Sequence, residues 1–225
     1  MGQSTLICTY GPSGVGKTTD HGYSFPRAVF AAAPGALSPL RTVCGYQPIV
    51  VHDLITMMDV TRFLKDHKGK LHSLVVDDFS FVAECTAAAL DRKWSGLKFW
   101  GALRDAGLEF RDTARYADVK FVVLNSWEQQ PKVMPDGHKL RGGPMLSGKM
   151  PEQIPALCDM VLRGGHEAGR QPWPAHYRCY LDANWGMKDR YNIAYKCDPA
   201  PLNVAELLRA ADVEVDRHPD LPYQE

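Results

Sequence analysis

Gly11, Gly14, Gly16, Lys17 and Thr18 are spaced as G-x-x-x-x-G-K-T within Gly11-Pro12-Ser13-Gly14-Val15-Gly16-Lys17-Thr18. This arrangement suits a polyanion. Glycines let successive backbone N–H groups turn toward one point. A helix that starts at the lysine adds its partially positive end. The lysine then reaches the β- and γ-phosphates of a nucleoside triphosphate, and the threonine hydroxyl holds Mg²⁺. Gly11 to Thr18, extended by Thr19, is therefore a candidate cradle for ATP and Mg²⁺.

A second acidic feature fits the same chemistry. Leu71-His72-Ser73-Leu74-Val75-Val76 is a buried-type strand that runs into Asp77 and Asp78. The C-terminal ends of strands line the ligand crevice of an open α/β sheet. An acid there can hold Mg²⁺ beside the loop threonine. Asp77 is the candidate metal residue. Asp78 either orients water or is a solvated strand end. Lys120-Phe121-Val122-Val123-Leu124 is another buried-type strand, and it closes on the polar Asn125.

These residues need a sheet to hold them. Thr5 to Tyr10 reads as the strand before the loop, with a short helix after it that Gly22 and Pro26 interrupt. Ala28 to Ala32 and Ile49 to Val51 read as strands around a loop from Ala33 to Pro48. Leu54 to His67, Phe79 to Leu90 and Leu97 to Tyr116 read as helices. The aromatic residues of the last, Trp100 among them, read as core. Strands alternating with helices predict a largely parallel sheet. Ser126 to Met150 is rich in glycine and proline and reads as a long irregular loop carrying Lys132, Lys139, Arg141 and Lys149. A loop of this length in a compact domain points to function, and its positive excess would suit a phosphate backbone. A plain solvated loop is the alternative. Asp159 to Arg163, His176 to Leu181 and Tyr191 to Tyr195 read as strands close in sequence, hence antiparallel additions. Asn203 to Ala211 reads as a final helix. The expected organisation is one domain over 1–211 and a polar tail over 212–225.

Composition sets outer bounds. The 225 residues carry 26 Lys and Arg against 26 Asp and Glu, and the pI is about 7.1. Binding to nucleic acid must then rest on a local patch or on many subunits. The six cysteines are widely spaced without a C-x-x-C pair, which argues for reduced thiols over zinc or a disulfide framework. No apolar run suits a membrane span, and the chain does not begin like a signal peptide, so a cytoplasmic protein without membrane partners is expected. The strand ending Leu124-Asn125-Ser126-Trp127-Glu128 lacks N-K-x-D, which argues against a GTPase. A monomeric kinase of a small phosphoryl acceptor fits the length, but its helical C-terminal half is replaced by strands.

Several pieces together resemble the short phage RecA-like P-loop ATPases, including the Sak-type single-strand annealing group. They are Tyr10 to Thr19, Leu74 to Ser80, Gly143-Pro144-Met145-Leu146-Ser147-Gly148-Lys149, Cys158-Asp159, Trp185 to Arg190, and Leu202-Asn203-Val204-Ala205-Glu206-Leu207-Leu208-Arg209. The resemblance implies a RecA-like core with antiparallel strands in the C-terminal third. It implies that Asn125 senses the γ-phosphate and that Ser126 to Met150 is a DNA-binding loop. It implies that Lys188 and Arg190 reach the γ-phosphate of a neighbouring subunit, where a guanidinium compensates developing charge. The implied partners are single-stranded DNA, further copies in a ring or filament, and a single-strand DNA-binding protein. The implied setting is a host cell's cytoplasm. One departure stands out: Ala31 to Ser38 carries no acid where such ATPases place a water-activating Glu. Asp78, Glu84 or Glu128 is left to substitute. The expectation is a weak, DNA-stimulated ATPase that promotes annealing or recombination, with a nucleotide-switched assembly protein as the alternative.

Overall fold

A computed structural model describes residues 3–33, 35–42, 45, 47–137, 139–148, 150–166, 175–178, 184–193 and 200–216. Its first half alternates strands and helices: β1 (Thr5–Tyr10), α1 (Lys17–Ser24), β2 (Ala28–Ala32), α2 (Ser38–Thr42), β3 (Ile49–Val51), α3 (Met57–Asp66), β4 (Ser73–Asp77), α4 (Phe79–Asp91), α5 (Gly96–Arg115) and β5 (Phe121–Ser126). Four short strands follow, β6 (Glu128–Gln129), β7 (Lys132–Val133), β8 (Lys139–Leu140) and β9 (Gly143–Pro144). The chain continues through α6 (Met150–Leu157), β10 (Met160–His166), β11 (Ala175–Arg178), β12 (Lys188–Asp189), β13 (Ala200–Pro201) and α7 (Val204–Ala210).

The main sheet runs in the order β13-β11-β10-β1-β5-β4-β2-β3, with β12 also paired to β10. From β10 to β3 every neighbour is parallel. β11, β12 and β13 add antiparallel pairs at the other edge. This is the mostly parallel α/β sheet, extended by antiparallel strands, that the sequence predicts.

Both faces of the sheet are covered, so its strands are apolar at successive positions rather than at alternate ones. Leu6, Cys8, Leu74, Val76, Val122 and Leu124 pack with α3, α4, α5 and α6 on one side. Ile7, Val75, Phe121 and Val123 pack with Phe25, Leu40 and the α7 residues Val204, Leu207 and Leu208 on the other. The split follows the period of two in each strand.

Local chemistry moves several boundaries. α3 starts at Met57 because Thr56 and Asp59 form a reciprocal capping box. A short helix, α2, lies inside the expected loop after β2. The first turns of α5 correct the expected core: Leu97 is 90% exposed and Trp100 54% exposed. They border an open groove with Met150 and Gln153, while burial on this helix is confined to Leu103, Gly107, Phe110 and Ala114. Tyr191 to Ile193 does not form the expected strand. The Asp189 carboxylate accepts from the Tyr191 N–H and Asn192 takes a positive φ of 55°, so the chain turns there. Residues 179–181 and 194–195 of the expected strands, 217–225 of the tail, and Cys44, Cys179 and Cys197 lie outside the described residues. Cys8, Cys85 and Cys158 are free thiols.

Two buried carboxyl groups bind distant segments together. Asp159, at the start of β10, accepts from the Leu6 N–H at 2.9 Å and from Arg115 at 2.7 Å, and also holds Arg190. Asp20 on α1 accepts from the Tyr177 hydroxyl at 2.8 Å, the Ser24 hydroxyl at 2.8 Å and the Val204 N–H at 3.1 Å. Asn203 caps α7 by accepting from the Glu206 N–H. Asp20 thus anchors the N-terminus of α7 to the helix that follows the glycine loop.

Burial raises the Asp20 pKa from 3.8 to about 7, against the lowering effect of its hydrogen bonds. Between those values the folded chain keeps a proton that the unfolded chain has lost. Stability therefore falls as pH rises through that window and levels off above it. In metal-free buffer, urea titrations at a series of pH values are expected to show this fall for the wild type relative to Asp20→Asn. A difference between the two proteins that does not vary with pH would contradict the assignment.

Candidate functional site

The glycine loop sits where β1 ends and α1 begins. Gly11 comes so close to β10 that a Cβ there would lie 2.5 Å from the Gly164 carbonyl oxygen. Gly16, at the N-cap of α1, has a left-handed φ of 100°. Backbone at these positions is thereby shaped before any ligand arrives. Ser13, Gly14, Gly16, Lys17, Thr18 and Thr19 line a 410 Å³ cavity together with Asp77, Asp78 and Asn125. The sheet brings these residues together from three separate stretches. β5 lies between β1 and β4, and its register places Asn125 opposite both Thr9 and Asp77.

Asp77 is the junction. Its carboxylate accepts from the Thr18 hydroxyl at 2.9 Å and from the Asn125 side-chain amide. Burial raises its pKa, while Asn125, Thr18 and Lys17 oppose that rise. Lys17 is buried and donates to the Gly11 and Pro12 carbonyls at 2.9 and 3.0 Å. Burial pulls its pKa down, against the attraction of Asp77, Asp78 and Glu128. Among the described residues, the buried Asn125 Oδ1 atom has no hydrogen-bond partner. A phosphate cradle with a hydroxyl and a carboxylate side by side fits Mg²⁺ and a triphosphate: Thr18 and Asp77 are oxygen donors of the kind Mg²⁺ takes.

Asp78 has two jobs available to it. Its carboxylate caps α4 by accepting from the Phe81 N–H at 3.2 Å. It also lines the cavity, and burial raises its pKa to about 6. Ala36 lines the cavity on the β2 side, where no described residue of the loop is acidic. Glu84 lies exposed on α4 and does not border the cavity. Glu128 is buried in a 2.8 Å ion pair with Arg163.

Trp127 is a contributor that the sequence reading passed over. It follows the polar end of β5, lines the cavity and is 41% exposed. Its N–H donates to the Ser80 hydroxyl at 2.9 Å, which fixes its backbone beside α4. The signal available was its position, directly after Asn125-Ser126. Beyond it, Glu128 meets Arg163, the Arg163 guanidinium lies 3.6 Å over the Trp185 ring, and Trp185 stacks on Tyr10. Tyr10 is the residue before the glycine loop, so this chain of contacts returns to the cradle.

The expected irregular loop is a narrow ribbon. β6 pairs with β9 and β7 with β8, and Met134-Pro135-Asp136-Gly137 makes the turn. Lys132, Lys139 and Arg141 are exposed on it, and Lys149 lies outside the described residues. Lys188 and Arg190 are not brought to the cradle. β12 pairs with the start of β10, whereas the glycine loop follows the far end of β1. There Lys188 donates to the Ala156 carbonyl at 2.6 Å and Arg190 is held by Asp159.

Residues 4–191 match the AAA domain family. Among the solved structures that match is a KaiC-like protein from the hyperthermophilic archaeon Pyrococcus horikoshii OT3, 14% identical over 83% of each chain, with a TM-score of 0.47. No curated protein matches the sequence. No described helix is long and apolar enough to cross a membrane.

Trp127 offers a direct report on the cavity. Addition of Mg²⁺ and a non-hydrolysable ATP analogue is expected to change the tryptophan emission of the wild type, and Trp127→Phe is expected to lose most of that change. An equal change in both proteins would place the ligand elsewhere.

Proposed function

The chain belongs to the AAA domain family, and from that premise we propose that it is an ATP- and Mg²⁺-binding ATPase that assembles on single-stranded DNA and promotes strand annealing or recombination. One observation carries the reading. β5 ends in Asn125 and Ser126, and the chain passes from there through Trp127 straight into the ribbon that bears Lys132, Lys139 and Arg141. The residue placed to feel a γ-phosphate and the basic ribbon are thus parts of one continuous segment.

The geometry supports a division of labour. Gly11 to Thr19 hold the phosphates with backbone N–H groups and the end of α1. Lys17 leaves the carbonyls of Gly11 and Pro12 to meet the β- and γ-phosphates. Thr18 and Asp77 hold Mg²⁺. Bound Mg²⁺ supplies neutralisation of the charge that develops on the transferred phosphoryl group. Asn125 keeps Asp77 in place through one amide hydrogen and offers its unpartnered oxygen to the cavity's contents. Asp78, the remaining acid on the cavity wall, orients water in place of the acid missing after β2. Because it also caps α4, it is less free to do so than a dedicated base, and slow turnover follows. That same observation favours a second reading, in which nucleotide acts chiefly as an assembly ligand.

The test combines turnover with assembly. The wild type is expected to hydrolyse ATP slowly, faster with single-stranded DNA, and to elute from a sizing column as a larger species when both ligands are present. Lys17→Ala is expected to lose nucleotide binding and turnover together. Asp78→Asn is expected to keep binding and to lower turnover by roughly 100-fold, the lower end of the usual range for a positioned proton acceptor. Rapid hydrolysis by a protein that stays monomeric under every condition would refute the assembly reading.

A further inference from the structure

A second groove, of 570 Å³, is larger than the nucleotide cavity. It lies between the β8–β9 side of the ribbon and the segment that leads into β12. Its charged lining residues are Lys139, Arg141 and Lys188, and no carboxylate is among the described residues that line it. Lys139 and Arg141 are exposed, and Lys188 is half-buried. In a chain of zero net charge, three cations without an acid among them make a local positive field.

Part of the wall is backbone: Gly142, Gly143 and Gly186 border the groove, so a polymer can approach the main chain there, while Leu140, Pro144 and Met187 make apolar wall between the cations. The two walls are stitched together. The Gly142 N–H donates to the Asn184 carbonyl at 2.8 Å, and the Gly186 N–H donates to the Gly142 carbonyl at 2.8 Å. A Cβ at Gly142 would lie 2.5 Å from the Trp185 ring, so this tryptophan packs directly behind the groove-lining Gly142. Trp185 in turn carries Arg163, which holds Glu128 beside the glycine loop. Through Gly142 the groove therefore touches the contact chain that reaches the nucleotide cradle.

We infer that this groove takes the sugar-phosphate backbone of single-stranded DNA, and that Lys188 is a phosphate ligand in the same chain as Lys139 and Arg141. The inference rests on the DNA-binding reading above and gives it a path. It assigns Lys188 a role in its own chain, in place of one at a neighbour's triphosphate. The position of Lys188 supports this: it shares the groove with the two ribbon cations. Its ammonium uses one N–H on the Ala156 carbonyl, which leaves donors for an anion. A flexible single strand can bend into a groove of this kind, whereas a duplex presents its phosphates on a stiff, broad rod.

Fluorescence anisotropy with a labelled oligothymidylate, at a series of salt concentrations with Mg²⁺ and a non-hydrolysable ATP analogue, tests the assignment. Lys188→Ala and Lys139→Ala/Arg141→Ala are each expected to weaken binding several-fold. Each lost phosphate contact should flatten the slope of log K against log salt by roughly 0.7. Lys188→Arg is expected to restore both affinity and slope, which a purely structural role would not require. Duplex of the same length is expected to compete poorly. Wild-type affinity and slope in Lys188→Ala would overturn the inference, the more so if its ATP turnover collapsed, as a role at a neighbour's nucleotide requires. Equal competition by duplex would also overturn it. A wild type that shows no salt-dependent binding of the oligomer would instead bring down the DNA-binding reading itself.

Discussion

Everything at the nucleotide cradle depends on the hydrogen bonds that Asp77 accepts. They tie α1, β4 and β5 to one carboxylate, through Thr18 and Asn125. A buried carboxylate is costly to keep out of water, and its pKa rises accordingly. Two donors and the nearby Lys17 offset that cost. The insertion of β5 between β1 and β4 makes the arrangement possible, since it puts Asn125 against both Thr9 and Asp77. An unpartnered oxygen on Asn125 and a lysine folded back onto loop carbonyls leave the site polar and shaped, with donors ready to exchange partners.

The rest of the fold repeats this device. Asp159 joins β1, α5 and β12 at the opposite end of the sheet, and Asp20 joins α1, β11 and α7. Each acid ties together segments that are far apart in the sequence. Glu128 with Arg163 makes a similar link between β6 and β10, the strand that flanks β1. Removing one partner of such a buried pair leaves the other uncompensated, so these contacts constrain conformation more than they add net stability.

Much of this was legible in the sequence. The glycine loop announced itself by spacing, and the runs Leu74 to Val76 and Phe121 to Leu124 announced buried strands. The capping box of Thr56 and Asp59 and the Pro-Asp-Gly turn of the ribbon were also written there, but in local signals that hydrophobic periodicity does not weigh. Other features were not legible. Nothing in Leu97 and Trp100 tells how far α6 extends over α5, and their pattern alone read as core. Lys188 and Arg190 look like a pair in the sequence, which does not tell their contacts: Arg190 is held by Asp159, and Lys188 lines the groove close to it. Pairings between separate stretches, such as Glu128 with Arg163 or Tyr10 with Trp185, depend on strand order and cannot be read from any one stretch.

The central claim is that one cavity, joined by Asp77, takes a triphosphate together with Mg²⁺. Calorimetric titration of the protein with a non-hydrolysable ATP analogue, with and without Mg²⁺, tests it most directly. The account predicts one site per chain whose affinity drops by an order of magnitude or more without the metal, and a loss of that metal dependence in Asp77→Ala. Binding of equal strength with and without Mg²⁺, or unchanged metal dependence in Asp77→Ala, would contradict it.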